Sequence, residues 1–243
     1  MTVSSGSADD VLALIADEPR LPGDQQNAFG GLERLCRAAA RALPAMGVGV
    51  IVMSKRGEPA TVASSGPECE AIQELQFTLG EGPCLDAYAL RRPVLTPDLA
   101  KAARTRWLGY GPAAQDRGVE AVFAFPLQVG AAQLGAMDVY RDRPGALSLR
   151  SLSRALSFAD VSVRSLLDSH HPGETDCLPD LDDVLESHFE LYQAQGMVMV
   201  QLGVDLGEAM SRLRAYAYAQ DRQLSDVAVD IVSRKLVFEP DHL

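Results

Sequence analysis

The spacing of hydrophobic and polar residues divides the chain into two regions. In the first two thirds, short apolar runs rich in β-branched residues alternate with helical stretches, which predicts mixed α and β structure. The runs at 46–53 and 61–65 predict an antiparallel hairpin. Two alternating runs at 119–129 and 133–141 flank Gly130, which predicts a second hairpin that turns at this glycine.

Helical spacing predicts the remaining elements of this region. Apolar residues lie three or four apart in 29–43, where Pro44 ends the helix, and again in 149–167. Shorter elements are predicted around 11–16, 72–75 and 84–90 as helices and at 94–96 as a strand.

The last third of the chain is predicted to be helical. A polar segment with two prolines, 168–180, predicts a linker before it. The first helix, 180–202, has apolar or ambivalent residues alternating three and four apart, which is typical of a coiled-coil seam and favours dimerisation. Asp205 and Glu208 have capping-box spacing for the second helix, and Asp221 is the predicted cap of the third. The predicted apolar positions are Leu181, Val184, His188, Leu191, Gln195, Val198 and Leu202 in the first helix, Leu206, Ala209, Met210, Leu213 and Ala217 in the second, and Leu224, Val227, Ala228, Ile231, Val232 and Leu236 in the third.

The composition is that of an ordinary globular protein, with 47% hydrophobic and 23% charged residues among 243. No apolar run approaches the roughly 18 residues of a membrane span, and the first ten residues lack the pattern of a signal peptide. We therefore expect a cytoplasmic protein that does not contact membranes. The net charge of -11 argues against a generally basic surface, so any binding of nucleic acid requires a local patch.

The cysteine spacing predicts neither a zinc site nor a disulfide framework. Cys36, Cys69, Cys84 and Cys177 form no CxxC pair, and we interpret them as reduced thiols. A group of possible metal ligands in the linker lacks helical or ribbon spacing, so no metal is expected there. That group is His170, His171, Glu174, Asp176 and Cys177. With no nucleophile motif or phosphate-binding loop of recognised form, we expect neither an enzyme nor a bound cofactor.

The segment 192–232 resembles an ANTAR domain, a three-helix RNA-binding module of bacterial antitermination regulators. The resemblance departs from the family at Gln195, where a lysine is common, and at Asp221, where an asparagine is common. It implies binding to RNA stem-loops in leader transcripts. The residues that carry it are Ala194, Gly196, Glu208, Ala209, Leu213, Arg214, Ala217, Leu224, Val227 and Ala228.

The first two thirds of the chain resemble a GAF domain, a sensor of small molecules. The matching segments are 79–88, 91–98, Trp107, 125–127 and 135–141. The resemblance implies an α+β fold, in which helices flank an antiparallel sheet that has six strands on average. The expected organisation is a GAF sensor domain over 8–168, a linker over 169–179 and a small all-α ANTAR domain over 180–238.

Arginines and tyrosines of the C-terminal region are the predicted contacts to RNA. Unpaired bases stack on aromatic and guanidinium planes, and basic groups hold the phosphates. The alternative is a solvated helical face with charges that complement the helix dipoles. From Asp180 onward, five basic residues stand against twelve acidic ones, a net charge of -7, which predicts modest affinity with a steep salt dependence. The predicted RNA-binding residues are Gln195, Arg212, Arg214, Tyr216, Tyr218, Arg222 and Lys235.

Four residues are candidates for a ligand pocket in the GAF-like region: Cys84, Phe123, Asp138 and Tyr140. Structural roles are equally compatible with their positions. Cys84 also follows Pro83 at a predicted helix start, where the helix dipole lowers a thiol's pKa. Some GAF proteins resemble free methionine sulfoxide reductases, so an enzyme that acts through Cys84 is one alternative function.

The combination of the two resemblances predicts a dimeric regulator in which an unidentified small molecule controls RNA binding and transcription antitermination. A second alternative is an adaptor whose helices only dimerise. Salt-sensitive RNA binding separates the regulator from the adaptor, and turnover with a thiol reductant separates it from the reductase.

Overall fold

The computed structural model describes residues 8–21, 30–53, 59–168, 189–220 and 222–239. Contacts between Cα atoms divide the chain into two compact units, Met1–Gln76 with Glu81–Leu178, and Phe77–Gly80 with Pro179–Leu243. The predicted linker at 169–179, with its possible metal ligands, lies outside the described residues, as do 180–188 and Asp221.

An antiparallel sheet forms the centre of the first unit. Its described strands have the order β2-β1-β5-β4-β3, and each neighbouring pair is antiparallel. The two predicted hairpins are present as β1–β2 and β4–β5. The strands are β1 Gly47–Met53, β2 Pro59–Ser64, β3 Val94–Thr96, β4 Ala121–Val129 and β5 Ala132–Arg141. The described residues thus form five strands, compared with the six that the GAF resemblance gives on average.

The sheet is covered on both faces, and the strand sequences show why. In β1 every residue except Met53 is buried, as expected from a continuous apolar run. The β4–β5 hairpin turns at Gly130, whose φ of 57° lies in the left-handed region that glycine adopts without steric cost. The predicted position of this turn is therefore confirmed.

Helices pack on the two faces of the sheet. Helix α2 contacts β1 and β2, α7 contacts β4 and β5, and α1 packs on α2 and α7. Helices α3 and α4 lie on the opposite face, where Gln76 of α3 donates a hydrogen bond to Asp138 of β5 and α4 contacts β4 and β5. The helices are α1 Ala8–Asp17, α2 Gly30–Ala42, α3 Pro67–Leu79, α4 Pro83–Leu90, α5 Leu99–Ala103, α6 Tyr110–Asp116 and α7 Leu149–Asp168.

The second unit contains three described helices with a small apolar core. They are α8 Phe189–Leu202, α9 Leu206–Ala219 and α10 Leu224–Val232. In α9 and α10 the buried core follows the predicted stripes, except that Leu206 is exposed and Met210, Val232 and Leu236 are partly buried. In α8 it consists of Val198, as predicted, and Ala194, which was not predicted. The core residues are Ala194, Val198, Ala209, Leu213, Ala217, Leu224, Val227, Ala228 and Ile231.

The helix starts of this unit confirm one predicted cap. Asp205 is the N-cap of α9, and its Oδ1 accepts a hydrogen bond from the backbone N–H of Glu208 at 2.8 Å. The side chain of Glu208 pairs with Arg212 one turn later at 3.3 Å. The N-cap of α10 is Gln223, which makes no side-chain capping bond.

In the part of the chain that the structure describes, no helix is both long enough and apolar enough to span a membrane.

Candidate sites: a buried polar cluster and an arginine and tyrosine face

Six polar side chains meet between the sheet and α3 and α4, and all are fully buried at 0% exposure. Asp138 and Tyr140 lie two apart on β5, so both point to the same face of the sheet. Helix α3 supplies two glutamines, the start of α4 supplies a cysteine, and the start of α6 supplies a tyrosine. This buried polar cluster comprises Gln73, Gln76, Cys84, Tyr110, Asp138 and Tyr140.

Gln76 is the centre of the hydrogen bonds in the cluster. Its Nε2 donates to Asp138 Oδ2 at 2.7 Å and approaches the Tyr140 hydroxyl at 3.1 Å. Its Oε1 accepts from the backbone N–H of Cys84 at 2.9 Å. The Tyr140 hydroxyl donates to the same Asp138 oxygen at 2.9 Å. These bonds tie α3, the start of α4 and β5 together.

Two glycines make room for the glutamine side chains. A Cβ atom on Gly49 would collide with the amide of Gln73, and one on Gly82 would collide with the amide of Gln76. The absence of a side chain at Gly49 therefore lets Gln73 lie directly on β1. Gly49 pairs with Asp138 across the strands, so the Gln73 amide rests on the strand position that neighbours Asp138.

Several atoms of the cluster have no hydrogen-bond partner among the described residues. They are Oδ1 of Asp138, both amide atoms of Gln73 and the hydroxyl of Tyr110. A buried polar group without a partner costs about 1 to 3 kcal/mol, so such groups are rare in folded proteins. Three of the six cluster residues therefore have a side-chain atom without a hydrogen-bond partner among the described residues.

Burial controls the protonation of the cluster. Burial raises the pKa of Asp138 to about 6, although the hydrogen bonds from Gln76 and Tyr140 oppose this rise. Burial also raises the pKa of the Tyr110 and Tyr140 hydroxyls, and the negative charge of Asp138 raises both further. Asp138 is therefore the member of the cluster that titrates nearest to neutral pH.

Cys84 lies where the sequence predicts, at the start of α4, but its thiol is fully buried. Burial raises its pKa well above the usual value, and the charge of Asp138 adds to this effect. The expectation that the helix start lowers this pKa is therefore wrong, because desolvation of the thiolate outweighs the helix dipole. Cys69, the other cysteine near the cluster, has a pKa raised by burial to about 12.

The structure brings three of the four predicted pocket residues together, and Phe123 is the exception. Phe123 pairs with Val139 across β4 and β5, and Ala124 pairs with Asp138. Because successive residues of a strand point to opposite faces, Phe123 faces away from the cluster. It is buried on the other side of the sheet.

The cluster also contains residues that sequence reasoning did not single out, Gln73, Gln76 and Tyr110. Gln76 follows Ile72 by four residues, so it lies on the buried stripe of α3. A polar residue on a buried helical stripe was the sequence signal that could have identified Gln76. Gln73 and Tyr110 carry no comparable signal, because only the packing of α3 and α6 brings them to β5.

The acidic residues of the matching segment 79–88 hold the chain between α5 and α6. Glu81 Oε1 accepts from the backbone N–H groups of Gly109 and Tyr110 at 2.6 and 2.8 Å. Asp86 Oδ2 accepts from the Trp107 indole at 3.1 Å and from Arg106 at 2.6 Å. Glu81 thereby positions Tyr110, whose side chain enters the buried polar cluster.

In the second unit, helix α9 carries four of the predicted RNA-binding residues. Arg212 and Tyr218 are exposed, and Tyr218 has 54% of its surface accessible. Arg214 is partly buried, and burial lowers the pKa of its guanidinium. Tyr216 is also partly buried, with its ring 5.4 Å from that of Phe238 in an edge contact.

Asp230 brings two further predicted residues together. Arg222 donates to Asp230 Oδ2 at 2.6 Å, and Lys235 Nζ lies 3.8 Å from Oδ1 of the same carboxylate. The hydrogen bond to Asp230 raises the pKa of Arg222. Gln195 donates to the backbone carbonyl of Leu206 at 2.8 Å, so it joins α8 to the start of α9.

The antiparallel sheet with helices on both faces defines the first unit as an α+β domain. The chain belongs to the GAF domain family, whose model matches residues 32–161, and an ANTAR domain model matches residues 180–232. GAF domains bind small ligands and ANTAR domains bind RNA. The architecture is that of a signal-responsive regulator.

Solved structures share the fold of the first unit. The GAF domain of an Acinetobacter phosphoenolpyruvate-protein phosphotransferase is 13% identical, with a TM-score of 0.51, covering 70% of this chain and 97% of its own. The GAF domain of the Coxiella burnetii phosphoenolpyruvate-protein phosphotransferase is 15% identical, with a TM-score of 0.51, covering 69% and 96%.

A free methionine-R-sulfoxide reductase from Neisseria meningitidis is 13% identical, with a TM-score of 0.49, covering 70% of this chain and 93% of its own. This similarity is too distant to bear on function. No curated protein matches the chain.

Proposed function

We propose that this protein is a cytoplasmic regulator of transcription antitermination, in which the GAF domain senses a small molecule and the ANTAR domain binds RNA stem-loops. The observation that carries the proposal is the ANTAR match over residues 180–232, on a helical unit that has its own apolar core. The charge and aromatic pattern of α9 supports it.

The chemistry of α9 suits contact with an RNA loop. Tyr218 is an exposed aromatic ring on which an unpaired base can stack, and Arg212 on the same helix is exposed and can reach phosphate. Arg212 pairs with Glu208 at 3.3 Å with about half of each side chain accessible, and such exposed pairs contribute little energy. RNA phosphate can therefore compete for Arg212.

Binding of the full chain to labelled stem-loop RNA, measured by fluorescence anisotropy, tests the RNA-binding half of the proposal. Loss of one stacked base costs about 1 to 3 kcal/mol, so Tyr218→Ala is expected to weaken binding about 10-fold. Arg150→Ala controls for the loss of an exposed side chain elsewhere, since Arg150 lies at the start of α7. Absence of salt-sensitive RNA binding in the wild type would favour the adaptor function instead.

Transcription in vitro through a terminator that overlaps the bound stem-loops tests antitermination. The wild type is expected to raise the fraction of full-length transcript, and Tyr218→Ala is expected to lose this effect in proportion to its loss of affinity. If the protein binds RNA but does not change the fraction of full-length transcript, it regulates by a route other than antitermination.

The protein is, in this proposal, a homodimer and not an enzyme. The coiled-coil spacing of 180–202 is the reason to expect a dimer, and sedimentation of the full chain measures the oligomeric state directly. Fully buried Cys84, with its raised pKa, argues against a nucleophilic thiolate. We expect no turnover of free methionine sulfoxide with a thiol reductant; turnover that Cys84→Ser abolishes would establish the reductase.

A further inference from the structure

We infer that helix α7 of the first unit is the dimer contact of this protein, and that it packs antiparallel against α7 of a second copy. The inference rests on the proposed function in taking the protein as a homodimer. It adds which surface pairs, in which orientation, and which charged residues determine that orientation.

The described part of the predicted coiled-coil seam on α8 already packs within its own unit. Val198 is fully buried in the core of the second unit, and Leu191 and Leu202 pack against that core. Gln195, also on the seam, donates to the backbone carbonyl of Leu206 at 2.8 Å. These side chains stabilise the three-helix unit, so among the described residues a dimer contact has to lie elsewhere.

Helix α7 has an apolar stripe beside the face that packs in the first unit. Its packed face contacts β4, β5, α1 and α2. Outside that face, Leu156 and Leu167 are 42% and 43% exposed, and Val163 is partly buried. Their spacings of seven and four residues keep these three side chains on one side of the helix. Two exposed charged residues lie on the same side, so the α7 stripe comprises Leu156, Asp160, Val163, Arg164 and Leu167.

The charged residues of the α7 stripe indicate a second copy as the occupant. Neither Asp160 nor Arg164 has an ion-pair partner among the described residues. Each lies two residues from Ser162, on opposite sides of it. In an antiparallel copy centred at Ser162, Asp160 therefore lies opposite Arg164 of the second copy, and the two-fold axis repeats the pair. The stripe is thus complementary in charge to itself.

The same register matches the apolar residues of the stripe. Leu156 lies beside Leu167 of the second copy, again twice, and Val163 lies beside its own equivalent at the centre. A parallel copy would instead place Asp160 against Asp160 and Arg164 against Arg164, and such juxtaposed like charges oppose association. Charge complementarity therefore favours the antiparallel arrangement.

Sedimentation equilibrium of the full chain measures the dimer. The α7 stripe spans about 17 Å of helix, so we expect a small, reversible interface with a Kd in the micromolar range. Leu156→Glu places two carboxylates in the contact in place of two leucines, and it is expected to raise the dimer Kd at least about 100-fold. Leu90→Glu on α4 is the matched control, since Leu90 is 47% exposed, and it should leave the Kd unchanged.

Charge reversal tests the orientation and changes only exposed side chains, so it keeps the test valid if Leu156→Glu does not fold. Asp160→Arg places four guanidinium groups at the contact, and Arg164→Asp places four carboxylates there, so each is expected to raise the Kd about 10-fold. The variant with both changes restores the two ion pairs and should dimerise like the wild type. Asp116→Arg, the same reversal at an exposed position on α6, is the control.

The inference is overturned if Leu156→Glu folds and dimerises like the wild type, or if the combined charge reversal dimerises no better than either single one. A wild type that stays monomeric at every concentration contradicts the homodimer of the proposed function, and the α7 contact with it. A wild-type dimer that none of the α7 substitutions weakens contradicts the α7 contact alone. The two failures are therefore distinguished by the wild type.

Discussion

Asp138 is the residue whose surroundings differ most from those of a surface carboxylate. It is fully buried on β5, one oxygen accepts two hydrogen bonds, and the other has no partner among the described residues. The network with Gln76 and Tyr140 stabilises the ionised form, but desolvation is the larger effect and leaves the pKa at about 6. The folded protein thus binds this proton more tightly than the unfolded chain does.

The stability of the ligand-free protein should therefore depend on Asp138 in a defined pH range. The carboxyl has an ordinary pKa of 3.8 and a pKa of about 6 in the fold, so the free energy of unfolding falls as pH rises from about 4 to about 6 and is level above that. The total effect is about 3 kcal/mol. Denaturant unfolding of the wild type and Asp138→Asn across this range measures it as the difference between the two curves. Equal pH dependence in both proteins would contradict the assignment.

At the level of single residues, the sequence predicted where a residue lies in the fold better than how its side chain is buried. Cys84, Asp138 and Tyr140, which the sequence suggests as pocket residues, all lie in the buried polar cluster, and their role in ligand binding stays a prediction. Phe123 is separated from them by the alternation of β4, which depends on a pairing register that a single sequence does not specify. The enclosure of Cys84 arises from α3 and α6, and the local sequence contains only the helix start.

Among the secondary-structure elements, β5 and β1 approach each other closely at Gly135. A Cβ atom there would collide with the carbonyl oxygen of Ile51 and lie 2.8 Å from the Cα of Val52. Both are backbone atoms in a paired strand, so neither can move without breaking the ladder. This contact gives a physical reason for the glycine in the matching segment 135–141.

Gly135→Ala is accordingly expected to destabilise the protein by about 3 kcal/mol, the upper range for overpacking in a core. Gly31→Ala provides the control, since Gly31 lies in α2 and a Cβ there would meet nothing within 4 Å. The control should be neutral or slightly stabilising. Chemical denaturation of both variants against the wild type measures the difference, and an equally stable Gly135→Ala would mean that β1 and β5 are not paired as described.

Element types and the two hairpins follow from the sequence because their signals are local: alternation in β4 and β5, a glycine turn, and apolar stripes in α9 and α10. The cap at Asp205 is local as well, and it is confirmed. Local signals do not specify the strand order β2-β1-β5-β4-β3. Strand β1 pairs with β2 on one side, but on the other it pairs with β5, whose paired residues come more than eighty positions later. The family resemblance, and not the periodicity, supplied the expectation of a single antiparallel sheet.

For the whole molecule, the net charge of -11 makes RNA binding a competition between local attraction and general repulsion. Each phosphate contact releases counterions, so log Kd should change steeply with log salt concentration. Lys235→Gln removes one exposed cation, and the slope is expected to fall by roughly 0.7 to 0.9. Anisotropy titrations at several salt concentrations measure this, with Lys101→Gln on α5 as the control. An unchanged slope would show that Lys235 does not contact RNA phosphate.

In the second unit, a single carboxylate, that of Asp230, lies beside two basic residues. Arg222 and Lys235 both pair with this carboxylate, so the second unit already holds a negative group between these two cations. If these two cations contact RNA as proposed, an incoming phosphate must replace the Asp230 carboxylate. A single phosphate would gain little from that exchange, whereas two phosphates of one RNA strand would each gain a cation, so the proposed site would favour a folded strand over a lone anion.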